Sequence, residues 1–134
     1  MDPSQLNYAA IAVAALVSFV IGGVWYSPIL FARAWLREAR LDEAEIRQAD
    51  MARVFGLSFA CTLVMAFNLA AFIGPKATPA FGAFAGAAAG LGWVCMSLGV
   101  IYLFERRPLK LWLINGGYQL LTYTLMGLIL GAWH

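Results

Sequence analysis

The chain has 134 residues, 63% of them hydrophobic and only 12% charged, with a formal net charge of +2. Soluble domains run nearer half apolar and a quarter charged, so the composition argues against a soluble domain, and so small a charge points to no nucleic-acid partner. The apolar residues are also segregated into runs of about 20, the length at which a helix crosses the roughly 30 Å hydrocarbon layer.

The first run, about residues 6–26, has Tyr8 at one end and Trp25 and Tyr26 at the other, where interfacial aromatic belts stand. Helical spacing puts Asn7, Ala14, Ser18, Gly22 and Trp25 on one side. A small and polar stripe of this kind faces other helices in lipid, because small side chains let backbones approach. Gly22 and Gly23 are therefore expected at a helix contact. Pro28 lacks an N–H and clashes with the carbonyl at Val24, so a kink or a stop is expected.

Residues 29–53 hold the only long charged segment. Ile29, Leu30, Phe31, Trp35 and Leu36 alternate with Arg33, Arg37 and Arg40, as in an amphipathic helix lying along lipid headgroups. Asp42 with Glu45 resembles a capping box, so a new helix is expected near Glu43, either ending before the second run or continuing into it without a break. That run, about residues 54–73, carries Cys61, Met65 and Asn68 on one face. The segment Gly74-Pro75-Lys76-Ala77-Thr78-Pro79 is a turn.

The third run, about residues 80–104, repeats Gly82, Gly86 and Gly90 every fourth residue, a doubled small-xxx-small contact face. Contact within the chain and contact between subunits both satisfy it. The fourth run, about residues 109–133, has a stripe of Asn115, Gln119, Thr122 and Met126 flanked by Tyr118 and Tyr123. The whole reads as a single all-α integral membrane domain: a bundle of four transmembrane helices with a cytoplasmic interfacial helix between spans one and two.

Loop charge orients the bundle. Five arginines lie in residues 33–53, and Arg106, Arg107 and Lys110 follow the third run, whereas the second turn has only Lys76. The positive-inside rule then places the first and third loops in the cytoplasm and both termini outside. Spans one and three point the same way, and Gly23-Val24-Trp25-Tyr26 faintly matches Gly99-Val100-Ile101-Tyr102, as in a parallel repeat of helix pairs.

The stretch Gly22-Gly23-Val24-Trp25-Tyr26-Ser27-Pro28, with Asn7-Tyr8 before it and Phe31-Ala32-Arg33-Ala34-Trp35 after it, resembles a bacterial membrane family catalogued as domain of unknown function 1761. Met51-Ala52-Arg53 and Phe55-Gly56-Leu57-Ser58-Phe59 resemble its second segment. The resemblance implies a four-span protein of a bacterial inner membrane and supplies no catalytic residue.

The absences point the same way. No Asp, Glu, Lys or Arg falls in the apolar interior of a run, which argues against proton or cation coupling. The only histidine is His134, so a Ser/His/Asp or Cys/His site has no base. No cluster has metal-ligand spacing, and no phosphate-binding glycine loop is present. Neither an enzyme nor a cofactor is expected. Uncharged polarity remains. Asn115, Gln119, Thr122 and Tyr118, with Asn68 and Ser18, either bond helix to helix or line a polar pathway. Two functions follow: an oligomeric passive channel or carrier for a small solute, most simply a two-fold dimer meeting on the glycine face of the third run, or a non-transporting module that binds lipid or a partner membrane protein. Trp25, Tyr26, Arg33, Trp35, Arg37 and Arg40 are the expected lipid-facing residues.

Overall fold

A computed structural model describes residues 2–133; His134 lies outside the described residues. A short turn of 3-10 helix, Pro3–Gln5, precedes α1 (Tyr8–Trp25), α2 (Ala32–Ala39), α3 (Glu43–Gln48), α4 (Met51–Ile73) and α5 (Pro79–Ala89). A π-helical stretch, Gly90–Cys95, joins α5 to α6 (Met96–Phe104), and α7 spans Leu109–Ala132. No strand occurs among the described residues.

Side-chain caps set several of the helix starts, satisfying amides that have no partner in the first turn. Asn7 accepts from the Ala10 amide, Asp50 from Arg53, and Thr78 from Phe81 with Pro79 in the first helical position. Asp42 caps α3 through the Ala44 amide. Pro28 acts as a stop rather than a kink. α1 ends at Trp25, and the chain turns back on itself through amide bonds from Phe31 to the Trp25 carbonyl and from Ala32 to the Ser27 carbonyl, both 3.1 Å.

The segment over residues 29–53 forms two short helices. The second starts at Glu43, where the Asp42 cap was expected to start it, but it does not run on into the next helix. Arg40 takes a left-handed backbone that ends α2, and Ala49 is extended before Asp50 starts α4 afresh at Met51. Local capping outweighs the continuous amphipathic pattern here, because each break gives the orphaned groups a partner.

α7 is the hub. It packs against α1, α2, α4, α5, the π stretch and α6. Its closest neighbour is α5. A Cβ added at Gly82 would run into the Gly127 carbonyl, one at Gly86 into the Tyr123 carbonyl, and one at Gly131 into the Thr78 carbonyl. The glycine face of the third run is thus spent inside the chain, and it is not free for a second copy. Of the earlier pair, Gly22 is covered by the Tyr118 ring, while nothing lies near Gly23. The core beside this seam is built of small side chains, Ala10, Ala14 and Ala66, closed by Leu69, Met126 and Leu130.

Large apolar side chains face outward instead. Phe84 is 71% exposed, Leu103 80% and Phe104 88%. Removing such a side chain from water stabilises by about 1.5–3 kcal/mol, so this mantle needs an apolar surround. Three segments, Tyr8–Trp25, Met51–Ile73 and Pro79–Phe104, are long and apolar enough to cross a membrane. The fourth expected span, α7, has 24 residues but is diluted by Asn115, Gln119, two tyrosines and two threonines. Its central position explains the difference: a helix walled in by others has less need of an apolar surface.

Candidate functional site

The polar residues of α7 sit at two levels with different surroundings. At the level of the charged loops, Asn115 is fully engaged. The Tyr26 hydroxyl donates to its Oδ1 at 2.6 Å, and its Nδ2 donates to the Tyr102 hydroxyl at 2.8 Å. The two tyrosines are those matched in the faint repeat of α1 and α6, so the repeat-related helix ends grip one amide. Tyr26 also packs edge-on to Trp35 and Tyr118.

Two indoles bond to helix backbone beside this cluster. Trp25 Nε1 donates to the Ile114 carbonyl at 2.9 Å, and its ring lies over Gly117. Trp112 Nε1 donates to the Cys95 carbonyl at 2.8 Å, at the end of the π stretch. The Cys95 thiol donates to the Gly116 carbonyl at 3.1 Å. Trp25 therefore faces protein, as its place on the small and polar stripe suggested, rather than serving as the lipid-facing anchor also expected of it. Tyr102 entered the sequence reading only as the counterpart of Tyr26 in the repeat, with no role given to it. Trp112 and the π stretch were not singled out, since a π turn has no distinctive residue signature.

One turn further along, Tyr118 donates to the Ser18 carbonyl at 3.2 Å, and the Ser18 hydroxyl bonds back to Ala14 at 2.9 Å. Ser18 is sealed in the α1–α7 seam. Gln119 and Thr122 are different. Gln119 Oε1 and Thr122 Oγ1 are buried and make no hydrogen bond of ordinary length and angle among the described residues; the Tyr118 hydroxyl lies beside Thr122 but donates to Ser18. Both residues line a groove of about 380 Å³ on the bundle flank between α4 and α7, with Ser58, Cys61, Thr62 and Met65 opposite. Thr62 and Thr124 bond back to their own helices at 2.8 and 2.7 Å; Thr122 does not.

Asn68 does not join this site. It lies exposed on α4, in a second groove of about 260 Å³ whose aromatic wall is Phe72 packed edge-on to Trp93, 5.5 Å between ring centres. Arg33, Arg37 and Arg40 are exposed around α2, and Trp35 is half-buried. Among the described residues, no three His, Cys, Asp or Glu side chains gather as a metal site.

An all-helical chain with membrane-length apolar helices and an uncharged flank groove is therefore the class of protein in hand. The family described as "Protein of unknown function (DUF1761)" matches residues 9–131, nearly the full length, and the chain belongs to that family. No curated protein matches the chain, and no solved structure does.

Proposed function

We propose that this protein is a non-catalytic, four-span membrane binding module, and that the groove between α4 and α7 takes up a small neutral amphiphile bearing a hydrogen-bond donor. The single observation that carries this reading is the pair of buried, unpartnered oxygens, Gln119 Oε1 and Thr122 Oγ1, on two residues that line one groove. Buried polar atoms without partners cost about 1–3 kcal/mol each, and such exceptions call for an explanation. A ligand hydroxyl or amide N–H supplies the missing donor, while Leu57 and Met65 receive its apolar part.

The groove is set at mid-length on α4 and flanked by exposed α4 residues, so in a bilayer the ligand enters from the side. This favours the binding-module reading over a passive channel. The level that a channel would need open is occupied by Asn115, already satisfied by two tyrosines, and the α1–α7 seam is closed by Ser18 and Ala14.

The bilayer in question is the bacterial inner membrane. The loops carrying Arg33–Arg53 and Arg106–Lys110 face the cytoplasm, and both chain ends lie outside. The clustering of Glu38–Arg40 with Glu105–Pro108 at one end of the bundle, and of Gln5–Asn7 with Gly74, Pro75 and Trp133 at the other, supports that orientation. A two-fold dimer, with α5 spent on α7, uses the α4 face where the Asn68 amide has no partner among the described residues.

The test is a thermal-stability titration in bilayer nanodiscs with 1-octanol and with its methyl ether. Stabilisation by the alcohol alone, lost in Gln119→Leu with Thr122→Val, supports the site. Equal shifts from both compounds would sink it.

A further inference from the structure

A second site, independent of the flank groove, lies at the charged end. The only two non-glycine residues with positive φ among the described residues are Arg40 and Arg106, both at φ 57°. Each follows a helix, α2 or α6, and each helix closes in the same way. The Arg40 amide bonds to the Arg37 carbonyl and the Leu41 amide to Leu36; the Arg106 amide bonds to Leu103 and the Arg107 amide to Tyr102. This six-to-one closure normally takes glycine, because a Cβ is disfavoured in left-handed backbone. The chain places arginine there twice, and both arginines line one cleft of about 490 Å³.

Charge within the cleft is already sorted. Its two carboxylates each lie against another arginine, Glu38 with Arg37 at 3.4 Å and Glu105 with Arg107 at 3.0 Å. Arg40 and Arg106 have no carboxylate within ion-pair distance among the described residues. A favourable interaction of a cation with the helix dipole explains one arginine near a helix end, but in α2 Arg37 already stands in the last turn. It does not explain why both left-handed positions open on the same space.

We propose that the cleft between the ends of α2 and α6 binds the phosphate of an anionic phospholipid headgroup through Arg40 and Arg106. Guanidinium groups suit phosphate oxygens, which they can take two at a time. A lipid, rather than free phosphate, follows from the rim. Leu103 and Phe104, which immediately precede the cleft residues Glu105 and Arg106 in the chain, are more than three-quarters exposed, and Ile29 is 89% exposed in the turn that precedes α2. These are surfaces for acyl chains beside a site for a headgroup. The inference rests on the membrane reading and not on the flank groove.

The experiment is native mass spectrometry of the full chain after exchange into mixed phosphatidylglycerol and phosphatidylcholine micelles. The wild type is expected to retain phosphatidylglycerol preferentially. Arg40→Gly and Arg106→Gly are each expected to weaken retention about fivefold, the effect of one basic residue near an anionic surface. Both are expected to melt no lower than the wild type, since glycine relieves the left-handed backbone. Arg53→Gln, which removes an exposed charge outside the cleft, is expected to keep the preference. Equal retention of the two lipids, an equal loss in Arg53→Gln, or displacement by inorganic phosphate alone would overturn the assignment.

Discussion

Thr122 and Thr124 stand two residues apart on α7 and behave in opposite ways. Thr124 returns its hydroxyl to the Leu120 carbonyl, while Thr122 is 1% exposed and bonded to nothing among the described residues. Replacing Thr122 with valine keeps the shape and removes the unpaired oxygen. The expected result is a gain of about 1 kcal/mol in stability with loss of ligand response, measured by melting in nanodiscs with and without 1-octanol. A residue kept for packing would show no such trade. Asn115 gives the contrasting case. Asn115→Leu strands two tyrosine hydroxyls and is expected to cost about 1–2 kcal/mol, with most of the loss absent when Tyr26→Phe and Tyr102→Phe are already present. Sequence pattern marked both residues as members of one polar stripe. It could not separate them, because helical spacing says which side chains share a face and nothing of what meets that face.

At the scale of the element, the glycine seam between α5 and α7 decides how closely two helices approach. Gly86→Ala drives a methyl into the Tyr123 carbonyl, so a loss of several kcal/mol is expected, at the upper end for core overpacking. Gly23→Ala, with nothing near it, is expected to be neutral or to stabilise by up to about 1 kcal/mol through its better helix propensity. Chemical unfolding in detergent of the two variants compares them directly. The seam was half legible. Gly82, Gly86 and Gly90 announced a close contact, and the partner was also written in Gly127 and Gly131, four apart. The helix start after Asp42 was legible in its cap, but the left-handed turn at Arg40 was not, since arginine is a poor guess for that position. The π stretch is held by the Trp112 indole on the Cys95 carbonyl. Trp112→Phe removes that donor, and faster amide exchange across Gly90–Cys95 is the expected consequence.

For the whole molecule, the arrangement explains why hydropathy finds three spans where length suggests four. α1, α4 and the Pro79–Phe104 segment present their apolar side chains outward, and α7 spends its polar residues among them. If α7 crosses the bilayer, its end at Trp133 returns to the side of Lys76. In a cysteine-free background, Lys76→Cys and Trp133→Cys are then expected to react with an impermeant thiol reagent on intact cells, and Arg47→Cys is not. The dimer proposed on the α4 face is expected to weaken in Asn68→Leu, read as monomer fraction by native mass spectrometry. The order of the apolar runs and the loop charges marked the all-helical fold and its charged end. They could not give the groove, which exists only because α4 and α7 part near Ser58 and Gln119.

The most direct test of the account is to map where a photoreactive octanol attaches in bilayer nanodiscs. The groove reading predicts labels concentrated on Leu57–Met65 and Tyr118–Thr122, competed by 1-octanol and lost in Gln119→Leu with Thr122→Val. Labels spread evenly over the outward faces of α1, α4 and α5, unchanged by that double substitution, would contradict it.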